Sequence, residues 1–181
     1  MLNKVKKYFL CFMMYSVIGW LYEVILEVFI YKWGFSNRGV LFGPYCPIYG
    51  VGALIFILIV GRILKDKKRK DKILLIPVVF ILCMVIATSI ELIASYLCEW
   101  LLGSWPWQTY VDYKYNFQGR IALSPSLRFG LGGILFLYII QPLYERLYSK
   151  LSNKVVNILF YLIGSLFIVD IISLIIFKFI V

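Results

Sequence analysis

The sequence predicts an all-α integral membrane protein. We read five transmembrane helices, arranged as two parallel helix-hairpin repeats plus one extra helix, with the N-terminus in and the C-terminus out. Three observations lead there. The apolar fraction is 62%, against roughly 45–50% in soluble globular chains. The formal charge of +10 is gathered in short clusters between apolar runs. Five of those runs reach the ~20 residues that a helix needs to cross the hydrocarbon core.

Taken in order, the first span runs from about Tyr8 to Tyr31. Its length, its two acids (Glu23 and Glu27) and the lack of a small-residue cleavage site set it apart from a cleavable signal. The second runs from about Pro44 to Leu64, with Pro44 expected in the first helical turn, where a missing N–H is harmless. The third extends from Ile73 to Leu102, long enough to tilt, with Pro77 near its start. The fourth covers Pro125 to Tyr148 and holds Pro142, which predicts a kink. The fifth spans Val155 to Ile180. The chain is short enough for one domain, 1–181, with hairpins over about 8–64 and 73–148 and the fifth helix over 155–180.

Orientation follows the basic residues. Lys4, Lys6, Lys7, then Arg62, Lys65, Lys67, Lys68, Arg69, Lys70, Lys72, then Arg146, Lys150 and Lys154 fall on one side. Lys32, Arg38, Lys114, Arg120, Arg128 and Lys178 fall on the other. That split of 13 to 6 among 19 cations is a positive-inside pattern, expected for a multi-pass protein of the cell (plasma) membrane. The cluster 62–72 suits anionic lipid, at about 1 kcal/mol per residue near the surface. The lipid bilayer is thus the partner of this charge, and nucleic acid is not. At the outer boundary, Trp33, Trp100, Trp105 and Trp107 read as an aromatic belt.

Several chemistries are excluded. The chain has no histidine, so His-based acid–base catalysis and the Ser-His-Asp triad are out. Cys11, Cys46, Cys83 and Cys98 lack a metal or disulfide spacing. No phosphate-binding G-x-x-x-x-G-K-[ST] loop occurs, so any ATPase must be a separate chain. No cofactor is expected, and a catalytic role is not the leading reading.

The entries to spans two and four look alike. Allowing one residue of slip, Pro44 matches Pro125, Gly50 matches Gly130, Gly52 matches Gly132 and Phe56 matches Phe136. Each has an upstream asparagine, Asn37 or Asn116, and an arginine, Arg38 or Arg120. Loops on the same side make this a parallel repeat. The glycines, with Gly133, are expected to let backbones approach closely.

Five of the nine acids lie in spans: Glu23, Glu27, Glu91, Glu99 and Asp170. A charge at the bilayer centre costs about 2.5–3.5 kcal/mol on insertion scales, so each is a candidate site until paired. Glu27 and Glu99 sit near the boundary, within reach of water. Glu23 and Glu91 lie deeper, and Arg38, Arg120 and Arg128 are the cations on that side. Two readings stand: buried salt bridges that fix helix packing, or an outward-facing pocket using guanidinium groups, which suit carboxylate or phosphate. Asp170 is left undecided between a partner span and a partner interface.

Asn37-Arg38-Gly39, Gly43-Pro44 and Pro47-Ile48-Tyr49-Gly50 resemble the signature of the ABC-transporter type IV permease family, CmpB-like bacterial multi-pass membrane proteins. Ile18-Gly19-Trp20 before Glu23, Glu91, and Asn116 before Gly119-Arg120 fit the same family, over about residues 8–150. Where the family shows Trp-Asp-Tyr-Ser, this chain has Val111-Asp112-Tyr113-Lys114. The resemblance implies a permease-type transport role. The polar site then comprises Glu23, Asn37, Arg38, Tyr49, Glu91, Asp112, Asn116, Arg120 and Arg128. A five-span chain is small for a complete pathway, so a separate ATPase subunit or a homo-oligomer is implied. A non-catalytic scaffold or regulator is the alternative, and a membrane enzyme acting on lipid headgroups the third reading.

Overall fold

The computed structural model describes residues 2–179; Ile180, where the sequence ends span five, and the Lys178 side chain lie outside the described residues. Among the described residues, five helical stretches are long and apolar enough to cross a membrane: Leu2–Ile30, Pro47–Leu64, Ile76–Leu102, Leu123–Tyr148 and Asn153–Phe177. The first joins α1 (Leu2–Ile25) to a π-turn over Leu26–Ile30. The second is α2 (Pro47–Leu58) and α3 (Val60–Leu64), followed by the short α4 (Arg69–Leu74). Then come α5 (Ile76–Leu102), a 3-10 turn (Gln108–Asp112) and a two-stranded ladder of β1 (Asn116–Phe117) and β2 (Ile121–Ala122). The fourth stretch is α6 (Leu123–Leu135), a π-turn (Phe136–Ile140) and α7 (Gln141–Tyr148); the fifth is α8 (Asn153–Phe179).

One proline expectation needs correction. Helix α2 begins at Pro47, leaving Pro44 in the preceding loop. The residue before a proline is disfavoured in the α region, and Cys46 stays outside the helix. Its N–H instead donates to Ser16 O at 2.9 Å. The irregularity expected at Pro142 takes the form of the π-turn Phe136–Ile140 just before it. Proline removes an N–H and crowds the carbonyl four residues back, and an inserted residue is one way a helix accommodates such a fault.

The chain resolves into two compact units, Met1–Val51 with Leu147–Val181, and Gly52–Arg146. In the first, α1 packs on α8 through aromatic side chains. Phe9 meets Phe160 edge-on at 5.2 Å, and Phe12 and Tyr45 meet Phe167 at 5.8 and 5.7 Å. Met13, Leu41 and Tyr45 form its buried centre. Buried Lys6 donates to Asn157 Oδ1 at 2.6 Å and lies over the Phe160 and Tyr161 rings.

In the second unit α5 packs along α6. Val60, Val79 and Cys83 are fully buried there. The Phe56 and Phe136 rings, which the sequence comparison equates, lie 5.9 Å apart.

Glycine placement permits close approach of α2 to α1 and of α6 to α5. A Cβ on Gly50 would sit 2.4 Å from Ser16 Oγ and 2.6 Å from Phe12 O; one on Gly133 would sit 2.3 Å from Cys83 Cβ. Only glycine permits that approach. Gly52 and Gly132 behave differently from the expectation, since nothing lies within 4 Å of a Cβ on either. Each stands two residues from a packed glycine, Gly50 or Gly130. At 3.6 residues per turn that points them to the far side of the helix.

Candidate functional site

Each unit holds a glutamate–arginine pair between a long helix and the loop that follows it. In the first unit Glu27 lies in the π-turn that ends span one. Its buried carboxylate meets Arg38 Nη2 at 2.6 Å and accepts from Ser36 Oγ at 2.7 Å and Ser36 N at 3.3 Å. Asn37 fixes the loop between these partners. It donates to Leu41 O and Phe42 O and accepts from the Trp20 indole N–H at 2.7 Å. One turn deeper in α1, Glu23 accepts from the Tyr49 hydroxyl. Ser16, Trp20, Glu23 and Glu27 recur at i, i+4, i+7 and i+11, and so share one helix face.

Asp170 completes this cluster from α8. Its carboxylate accepts from Phe42 N at 3.0 Å, Gly43 N at 2.8 Å and the Tyr45 hydroxyl. The lone acid of span five therefore fastens the loop that carries Asn37 and Arg38. Burial, then the bond to Asp170, pushes the Tyr45 phenol well above its ordinary range. Burial also pushes the Cys46 thiol up to about 12, with Glu23 adding to the rise and Arg38 opposing it.

In the second unit Arg120 Nη2 meets Glu99 Oε2 at 2.5 Å, and Nη1 donates to Ser95 Oγ at 3.4 Å. The guanidinium carbon lies 4.1 Å from the ring centroids of both Tyr96 and Trp105. A cation held between two aromatic faces gains from both ring quadrupoles, more so when shielded from water. Arg120 is buried while Glu99 remains 44% exposed. Among the described residues, neither Arg38 Nε nor Arg120 Nε has a hydrogen-bond partner.

The 103–122 loop is tied down by aromatic donors. Trp107 Nε1 donates to Arg120 O at 2.9 Å, and Trp105 Nε1 to Gly119 O at 3.4 Å. Tyr110 donates to buried Glu91 at 2.9 Å, and Arg128 donates to Tyr113 at 3.1 Å. Asn116 donates to Tyr113 O and accepts from Gly119 N, shaping the β1–β2 turn. Thr88, Glu91, Ser95 and Glu99 recur at i, i+3, i+7 and i+11, a polar stripe down one face of α5.

Of the residues the sequence singles out, Glu23, Asn37, Arg38 and Tyr49 gather in the first unit, and Glu91, Asn116, Arg120 and Arg128 in the second. Asp112 stands exposed at the end of the 3-10 turn. Trp33 and Trp100 are exposed, as a belt requires, whereas Trp105 and Trp107 are loop fasteners. Sequence reasoning did not single out Ser36, Trp20, Tyr45, Tyr96, Tyr110 and Tyr113 as site residues. A search for hydroxyl donors to intramembrane acids would have found Ser36, Tyr45 and Tyr110.

Five apolar helices with polar side chains collected at their loops define a multi-pass membrane protein. The chain belongs to the family described as putative ABC-transporter type IV, whose model matches residues 10–175. The match runs into α8 past Asp170, further than the loop motifs alone extend. No curated protein and no solved structure matches the chain.

Proposed function

We propose that the chain is a transport-associated, permease-type subunit of a bacterial plasma membrane, built from two related helix hairpins and a fifth helix. Its N-terminus lies inside and its C-terminus outside, as the basic residues direct. A Glu/Arg polar site faces the outer leaflet, and the chain works with a separate ATPase or as a homo-oligomer. The carrying observation is that each unit ion-pairs a loop arginine to a glutamate of the preceding helix, Arg38 with Glu27 and Arg120 with Glu99. Family membership supports the transport role. Nothing in this reading asks the chain itself to catalyse a reaction.

The test is affinity purification of the tagged chain from native membrane with quantitative identification of what accompanies it. An ATP-hydrolysing subunit or stoichiometric self-association supports the reading; a lone monomer sinks it. The scaffold reading has its own supporting observation, since both guanidinium groups are already engaged inside the chain. It predicts that Glu99→Gln and Arg38→Lys, where folding survives, leave function intact. Transport requires these charges to do more than hold the fold.

A further inference from the structure

The turn between α3 and α5 carries Arg62, Lys65, Lys67, Lys68, Arg69, Lys70 and Lys72 against two acids, Asp66 and Asp71. All but Lys72 are exposed. Among the described residues, none of the seven side chains makes a hydrogen bond or an ion pair. Within the described residues this concentration of charge is unpartnered, unlike Lys6, Arg38 and Arg120.

The backbone around these cations is anchored. Leu64 is buried at the start of the turn. At its far end Lys72 O accepts from the Tyr138 hydroxyl at 2.6 Å. Between these points α4 (Arg69–Leu74) places Arg69, Lys70 and Lys72 beside Ile73 and Leu74, and Leu74 is 77% exposed. Two large apolar side chains held outward next to a cationic cluster is costly in water. It is favourable at a bilayer surface, where the apolar pair enters the headgroup boundary and the cations meet lipid phosphates.

We propose that residues 62–74 form a binding surface for anionic phospholipid headgroups of the bilayer in which the chain sits. The ends of two spans hold the turn within a Debye length of that surface, about 8 Å at physiological salt, so its charges act at close range. Lipid is favoured over an acidic protein because the cations are interleaved with outward apolar side chains that match the headgroup–acyl boundary. The inference stands independently of the transport reading.

The experiment uses the full chain in detergent micelles, titrated with phosphatidylglycerol or with phosphatidylcholine and followed by native mass spectrometry and thermal unfolding. The wild type binds the anionic lipid preferentially and is stabilised by it, less so as salt rises. Changing Lys65, Lys67, Lys68, Arg69 and Lys70 together to Gln lowers phosphatidylglycerol affinity on the order of tenfold or more and leaves phosphatidylcholine binding unchanged. These side chains hold nothing in the fold, so unfolding without added lipid stays at the wild-type temperature.

A second variant, Asp66→Asn with Asp71→Asn, raises the local charge and strengthens anionic-lipid binding. Asn also tolerates the left-handed φ of 59° at position 66. Equal lipid preference in the wild type and the neutralised variant overturns the proposal. So does loss of a co-purifying acidic protein with lipid preference intact, which assigns the turn to that protein.

Discussion

Replacing Asp170 with alanine removes one acceptor from three donors at once: Phe42 N, Gly43 N and the Tyr45 hydroxyl. Hydrogen bonds to a charged group run about 1.5–3 kcal/mol each, and a buried donor left unpaired costs about 1–3 kcal/mol. The simple sum overshoots for two reasons. Phe42 is exposed, so its amide can find another partner. Hydrogen bonds inside membrane proteins also average nearer 0.6 kcal/mol, because the unfolded chain in the membrane finds partners too. The insertion cost of the carboxylate pulls the other way, but the inserted, unpacked helix bears that cost as well, and it largely cancels. Between these bounds, Asp170→Ala should lose about 2–4 kcal/mol. Asp170→Asn keeps one oxygen acceptor and should lose about half as much. The measurement is unfolding free energy in mixed micelles, with Cys46 alkylation as a local reporter at the end of the same loop. A loss under about 0.5 kcal/mol, with Cys46 as protected as in the wild type, would refute the assignment of Asp170 as the loop's fastener.

Other outcomes follow from the same geometry. Gly50→Ala and Gly133→Ala should destabilise by about 1–3 kcal/mol through overpacking, whereas Gly52→Ala and Gly132→Ala should be neutral or stabilising by up to about 1 kcal/mol; equal effects at all four positions would refute the close-approach account. Arg120→Lys should lose most of the stability lost in Arg120→Ala, since an ammonium cannot bridge Glu99 and Ser95 while stacking between two rings; full retention in unfolding assays would count against the aromatic cage. The Cys46 thiol, raised from 9.0 to about 12, should carry about a thousandfold less thiolate than an ordinary thiol at pH 8. Its raised value favours the protonated form, so alkylation of the folded chain should stay slow until strongly alkaline pH. Rapid labelling at pH 8 would contradict the burial.

The spans were legible because insertion is decided by apolar length, which the sequence carries openly. Their ends were less so. Span two starts at Pro47, where Cys46 N–H turns to Ser16 O, a contact that hydropathy does not contain. The π-turns at Leu26–Ile30 and Phe136–Ile140 depend on how neighbouring helices accept an extra residue, and only Pro142 hinted at the second. Arg38 and Arg120 were visible as site residues, but their partners were not. Both take the boundary acids Glu27 and Glu99, because the loops return to the helix ends before the arginines can reach deeper. Asp170 looked solitary because the donors that hold it lie more than 120 residues earlier. No local pattern reports a contact of that separation.

That separation also fixes an order of assembly. Tyr45 and Asp170 are 125 positions apart, and at ribosomal speeds of about 5–20 residues per second the second follows the first by roughly 6–25 s. Throughout that interval the Phe42 and Gly43 amides and the Tyr45 hydroxyl lack the carboxylate that holds them in the folded chain. The loop that carries Phe42, Gly43 and Tyr45 is thus completed only once α8 has been made, and Asp170 closes it.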